Sequence, residues 1–264
     1  MAILFISDLH LRAAYPATTI NFLAFLAGPA RIAEELYILG DLFDLWIGDD
    51  APQPEDQPVL TALRTLSDSG IPVSIMPGNH DFLYGSRFAE YVGCRLLSDP
   101  CVIDLHGTRT LLMHGDSLCT NDVSYQHFRT MVRNPVWQAE QLIMPAEARL
   151  LLAKDLQMRS RVQTMGKNKE MMDVNQSAVE SALRVHAAYC LIHGHTHRPA
   201  DYRFALNGQE ARRIVLPNWR ADDDVRNNGK TQGGYLECTK KECRILDLTC
   251  QDYNLGTLES AYYA

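Results

Sequence analysis

The chain has 264 residues, of which 46% are hydrophobic, 22% charged and 8% aromatic, so it holds enough apolar material for a sizeable core and is neither disordered nor fibrous. No apolar run approaches the roughly 18 residues that span a bilayer. A formal net charge of -7 argues against a general nucleic-acid binder, which needs a cationic surface to displace counterions. In chain order, short apolar runs at residues 2–7, 36–39 and 72–76 read as buried strands, with helix-periodic segments between them. Residues 101–106 and 109–113 read as a hairpin turning at Gly107-Thr108, and 189–192 as a further buried strand. Late strands at 213–216, 234–237 and 244–248 lack long intervening helices, which predicts antiparallel additions. The fold class expected is α/β (α+β in some schemes), a mixed two-sheet sandwich flanked by helices.

Residues 118–170 break the alternation: helices without strands begin at Asn121, with Pro135 and Pro145 suited to first turns. The expected organisation is a single domain over 1–264, with 118–170 as an inserted helical cap. This segment carries eight Lys and Arg against five acids, net +3, beside an apolar set including Trp137, Leu142, Ile143 and Leu151. That combination suits contact with an anionic amphiphile, although a helical hairpin burying its own stripe accounts for the same pattern. Seven cysteines, an odd number without a CxxC pair, predict reduced thiols rather than a disulfide framework or a zinc cluster. An amino terminus without a positive n-region adds an expectation of a cytoplasmic protein.

Five strand ends deliver Asp8-Leu9-His10, Gly40-Asp41, Gly78-Asn79-His80-Asp81, His114-Gly115-Asp116 and His193-Gly194-His195-Thr196-His197. Loops at the carboxyl ends of neighbouring strands open onto one crevice, so these groups are expected to share a site. Asp8, His10, Asp41, Asn79, His114, His195 and His197 form an oxygen and imidazole set suited to Mn²⁺, Fe²⁺, Co²⁺ or Zn²⁺. Seven ligands exceed the need of one ion, and Asp41 is the expected bridge between two. Asp44, Asp49, Asp50 and Asp116 are expected to orient ligands from behind, and His193 to bond within its turn. His106, His127 and His186 are read as structural, and Trp46 as either core or site lining.

The pattern D-x-H, G-D, G-N-H-D, H and G-H-x-H across residues 8–197 resembles the calcineurin-like metallophosphoesterases. The segments Ser7 to Leu11, Tyr37 to Phe43, Trp46 to Asp50, Met113 to Asp116, Met172 to Gln176 and Ile192 to Pro199 are similar to the UDP-2,3-diacylglucosamine hydrolase family within it. The resemblance implies a metallophosphoesterase fold and cleavage of the pyrophosphate of a lipid-linked UDP-sugar, giving UMP and 2,3-diacylglucosamine 1-phosphate in lipid A biosynthesis. It also implies two Mn²⁺ ions, one held by Asp8, His10, Asp41 and His197, the other by Asp41, Asn79, His114 and His195. Peripheral contact with the cytoplasmic face of the inner membrane follows, with no nucleic acid and no obligate protein partner. Position 80 holds His where this narrower family commonly has Arg; His80 is expected to bind phosphate or lend a proton, with Asp81 orienting its ring. Substrate contacts implied are Asn79, His80, Asp122, Tyr125, Ser160, Thr164, Lys167 and His195; Ser160, Thr164 and Lys167 share a helix face at i, i+4 and i+7. The alternatives are a soluble phosphodiesterase or dinucleoside polyphosphate hydrolase of the same superfamily, and a non-catalytic interaction module.

Overall fold

The computed structural model describes residues 1–165, 173–219 and 233–248, apart from the side chains at 161 and 163–165. The chain runs through β1 (Ile3–Ile6), α1 (Pro16–Ala27), β2 (Glu35–Leu39), α2 (Gln57–Asp68), β3 (Val73–Met76), α3 (Ser86–Val92) and β4 (Arg95–Leu96), then the hairpin of β5 (Cys101–Leu105) and β6 (Thr108–Met113). Three helices follow, α4 (Val123–Val132), α5 (Pro135–Ile143) and α6 (Ala146–Met165). After them come α7 (Gln176–Val185), β7 (Cys190–His193), β8 (Ala200–Leu206), β9 (Gln209–Val215), β10 (Gly234–Cys238) and β11 (Cys243–Asp247).

Two sheets result, ordered β11-β10-β1-β2-β3-β4 and β5-β6-β7-β9-β8. β1, β2 and β3 are parallel because α1 and α2 carry the chain back over one face. β1 and β3 are buried at every residue, as expected of strands covered on both sides. One core lies between this sheet and α1 to α3, where Val59, Leu60, Leu63 and Leu66 form the buried stripe of α2. A second core lies between the sheets: Phe5, Leu39 and Met76 from the first meet Leu112, Ile192 and Ile214 from the second. Each such side chain withdrawn from water stabilises the fold by about 1.5–3 kcal/mol before entropy is counted. α7 closes the outer face of the second sheet through Val179 and Leu183.

Three expectations need correction. The strand expected at 213–216 begins at Gln209 and pairs parallel with β7, while its antiparallel neighbour β8 was not anticipated. β8 is largely solvent-facing and lacks a buried alternation, but the Asn207-Gly208 turn that joins it to β9, with φ of 52° and 78°, is a hairpin signal present in the sequence. The expectation of reduced thiols fails at Cys238 and Cys243, which form a disulfide. Antiparallel pairing of β10 with β11 sets these two residues directly opposite, 4.0 Å apart at Cα, a juxtaposition that spacing along the chain does not reveal. Cys94, Cys101 and Cys190 are free thiols, and Cys250 lies outside the described residues.

Between β6 and α7, the helices begin where capping chemistry predicts. Asp122 accepts from the Tyr125 amide at the start of α4, and Asn134 from the Val136 amide at the start of α5, where Pro135 fills the first turn.

Candidate metal centre

The loops after β1, β2, β3, β6 and β7 meet at one edge of the paired sheets and are laced by backbone hydrogen bonds. The Asp8 amide donates to Gly40 O at 3.1 Å, the Leu9 and His10 amides to Asp41 O at 2.9 Å, and the Gly194 amide to His114 O at 2.8 Å. Asp8, His10, Asp41, His195 and His197 have positive φ, between 48° and 67°. Asp and His enter this left-handed region more readily than most residues, at about 1–2 kcal/mol each, and it aims consecutive side chains to one side of the loop. Gly78 is required by close approach: a Cβ there would stand 2.1 Å from Asp41 Oδ1.

All seven candidate ligands converge. Asp8, His10 and His197 form one group, Asp41, His114 and His195 a second, the donor atoms within each lying within 4.8 Å of one another. Asp41 Oδ2 lies 3.6 Å from His10 Nε2 and 3.5 Å from His114 Nε2, so a single oxygen stands between the groups. His197 Nε2 is 3.3 Å from His10 Nε2 and 3.4 Å from Asp8 Oδ1, and Asn79 Oδ1 is 2.9 Å from both His114 Nε2 and His195 Nδ1. Two ligands each about 2.1 Å from a shared ion are separated by about 3.0–3.4 Å, which these edges match closely. Paired imidazole nitrogens facing one another, without sulfur among the donors, fit a borderline divalent cation on each side of Asp41.

Charge in the site is ordered by burial and pairing. Burial opposes ionisation of Asp8 and Asp41, yet His197 beside the first and His114 and His80 beside the second hold both carboxyls below the usual range. Burial pushes His10 down to about 4; burial, assisted by the His114 cation, does the same to His195, which keeps both rings neutral with a lone pair to donate. His80 and His114 shift upward: Asp41, with Asp44 behind His80, overcomes the desolvation of either ring.

The supporting residues differ in part from expectation. Asp81 does not orient His80: its buried carboxylate accepts from the Gly78 and Leu42 amides at 2.7 Å and from Tyr84 Oη at 2.6 Å, locking two ligand loops together. The His80 ring is held by Asp44, whose carbonyl accepts from Nδ1 at 2.9 Å. Asp116 accepts from Tyr125 Oη at 2.7 Å and Arg129 Nε at 2.9 Å, tying α4 to the His114 loop. Asp49 accepts from the Gly85 and Phe88 amides and Trp46 Nε1 rather than from a ligand. His193 Nδ1 donates within its turn to Gly194 O at 2.9 Å.

A cleft of about 730 Å³ opens from these ligands toward α4, α5 and α6, lined on the apolar side by Trp46, Phe82, Phe128, Trp137, Leu152 and Leu156. Trp46 is therefore both core and lining. Tyr125, 6.0 Å from the His195 ring between centroids, and Ser160 also line it, and Asp122 caps α4 nearby. Thr164 is in α6 but its side chain lies outside the described residues, as does the whole of Lys167. Two α6 residues went unnoticed in the sequence. Arg149, 3% exposed, donates Nη1 to Ile47 O and Asp50 Oδ1 at 2.8 Å each and pairs Nη2 with Asp50 Oδ2. Gln157 Nε2 donates to Asp44 O at 2.6 Å. Gly48 makes room for the former: its φ is 129°, and a Cβ would sit 2.3 Å from Arg149 Nη1. The signal for Arg149 was a lone Arg between Ala148 and a leucine run, on the face that turns inward.

The profile of the calcineurin-like phosphoesterases matches residues 1–199. A protein of Nitrosococcus oceani named UDP-2,3-diacylglucosamine hydrolase is 44% identical over 259 residues, 98% of this chain and 100% of that one. Proteins of the same name from Chromohalobacter salexigens and Escherichia coli O157:H7 are 50% and 49% identical, covering 83% and 85% of this chain and 89% and 94% of their own. Among solved structures, wild-type Vps29 of Entamoeba histolytica complexed with zinc aligns at a TM-score of 0.44 and 15% identity, over 94% of this chain and 99% of that one.

Proposed function

The chain belongs to the calcineurin-like phosphoesterases and, within them, to the UDP-2,3-diacylglucosamine hydrolases, and on that premise we propose that it hydrolyses the pyrophosphate of UDP-2,3-diacylglucosamine to UMP and 2,3-diacylglucosamine 1-phosphate. The observation that carries this reading is the cleft, in which a wall of aromatic and leucine side chains runs directly into a cluster of seven oxygen and imidazole donors. A soluble nucleotide would use only the ring or two on which a base stacks, whereas two acyl chains gain about 0.8 kcal/mol for every methylene the whole wall covers.

Two divalent cations, proposed to be Mn²⁺, would supply positive charge against the phosphoryl oxygens and an activated water. Asp8, His10, Asp41 and His197 would hold one and Asp41, Asn79, His114 and His195 the other, with Asp41 spanning both. His80 presents its ring to the cleft beside His10, 4.8 Å away between centroids, and donates to a phosphate oxygen or to the departing phosphate. Tyr125, Ser160, Asp122, Thr164 and Lys167 receive the glucosamine phosphate and its flanking groups, with Asn79 and His195 completing the contacts. In this reading α4 to α6 are a cap over the acyl chains. Ile143, Leu151, Met158 and Val162 are exposed on it, close in sequence to Lys154 and Arg159, which suits a peripheral position on the anionic cytoplasmic surface of the inner membrane. No helix among the described residues is long and apolar enough to cross that membrane.

Mn²⁺-dependent UMP release from the diacyl substrate tests the reading. Rapid turnover of dinucleoside polyphosphates with none of the lipid would overturn it in favour of a soluble phosphodiesterase.

A further inference from the structure

The His80 ring is fixed by a carbonyl that a residue of α6 also holds. Asp44 O accepts from His80 Nδ1 at 2.9 Å and from Gln157 Nε2 at 2.6 Å. A carbonyl oxygen carries two lone pairs and no proton, so the two donors fill it, and His80 Nδ1 is committed to it as a donor. Its Nε2 is then the atom left to meet a ligand. The segment around Asp44 grips His80 from a second direction, since the Trp46 amide donates to His80 O at 3.3 Å. Asp44 is anchored on its far side by its own amide to Leu11 O at 3.1 Å and by Arg12 Nη1 to Oδ2 at 3.3 Å. Every one of these restraints comes from the ligand loops except Gln157, which arrives from the helix that roofs the cleft.

The geometry points to Gln157 as a positioning residue for the hydrolysis: by holding the Asp44 carbonyl it keeps the His80 ring in the orientation that turns Nε2 to the substrate phosphate. Docking of α6 and readiness of the imidazole are thereby one event. Gln157 acts through His80 and not on the substrate, and the inference rests on the role proposed above for His80.

The test is a double-mutant cycle on the full chain with Mn²⁺, reading UMP release from the diacyl substrate for Gln157→Met, His80→Ala and the double variant. Gln157→Met keeps the side-chain length and loses the donor, so kcat falls about tenfold with KM within about twofold of the parent. In the His80→Ala background the same change alters kcat by less than about twofold, because the group through which it acts is gone. Imidazole ¹⁵N spectra of the parent show His80 Nδ1 hydrogen-bonded, and its signal broadens or moves in Gln157→Met. Gln157→Glu, which sets an acceptor against the carbonyl, gives the same pattern and serves as the second variant should Gln157→Met fail to fold; Gln157→Lys restores a donor and recovers kcat. Equal losses in both backgrounds would place Gln157 on the substrate and overturn the inference, as would parental kcat in Gln157→Met. A His80→Ala variant that turns over at the parental rate would instead remove the role of His80 itself, and the inference with it.

Discussion

Removing the carboxylate of Asp50 should cost more stability than removing the guanidinium it binds. Arg149 is 3% exposed and the Asp50 side chain 49% exposed, so the two partners differ in what each deletion leaves behind. In Asp50→Ala the cation stays in place with Ile47 O still accepting from it and, among the described residues, no partner for its Nε. Breaking a buried pair in this way costs about 3–5 kcal/mol; because Asp50 is half open to water, which replaces part of the lost interaction, about 2–3 kcal/mol is expected here. In Arg149→Met an unbranched apolar chain takes over the packing of the arginine stem and Asp50 turns to solvent, for about 1 kcal/mol. Adding Asp50→Ala to Arg149→Met should then change little, leaving a coupling of about 2–3 kcal/mol between the two. Urea unfolding at 25 °C followed by tryptophan fluorescence measures all three variants. An Asp50→Ala loss no larger than that of Arg149→Met would refute the reasoning. Because the pair fastens α6 beside the cleft, Asp50→Ala should also lower kcat/KM for the diacyl substrate while leaving a small aryl phosphodiester unaffected.

Replacing Asp41 by Asn removes the charge between the two donor groups while keeping its size; metal analysis should find fewer than two ions per chain, with turnover down by about 100-fold or more. Burial pushes the Cys94 and Cys119 thiols up to about 12, so at pH 8 only about one in ten thousand of each is ionised. Both should resist alkylation in the folded protein, react about tenfold faster for each unit of rising pH, and label at once in urea. Ile143→Asp combined with Leu151→Asp should weaken co-sedimentation with anionic vesicles without altering metal content, since both side chains are exposed and neither lines the cleft.

The parallel half of the fold was legible because β1, β2 and β3 are buried on both faces and so are written as largely apolar runs, interrupted only by Glu35 at the start of β2 and Ser74 within β3. The ligands were legible for a related reason: each sits directly after such a run, where the strand ending aims it. Solvent-facing β8 carries no such run, and two-residue β4 is too short for a period to register. Around the metal centre, the ligands could be named from their types, but not which carboxylate holds which loop. Asp81 follows His80 in the chain and spans instead to Leu42 and Tyr84, while Asp44, 36 residues away, holds the ring. Arg149 and Gln157 belong to a helix without a clear apolar stripe, and only its packing against the 44–50 loop makes them part of the site.

The left-handed backbone at Asp8, His10, Asp41, His195 and His197 sets durability against turnover. At each of these positions Gly would relax the chain, Asn would fit it comfortably, and neither would preserve the donor set. A laboratory selection that rewards heat resistance alone is therefore drawn toward the residues on which hydrolysis depends, and its hardiest survivors would be inert. Improving this enzyme for harsh conditions calls for changes elsewhere in the chain, with turnover scored in every round.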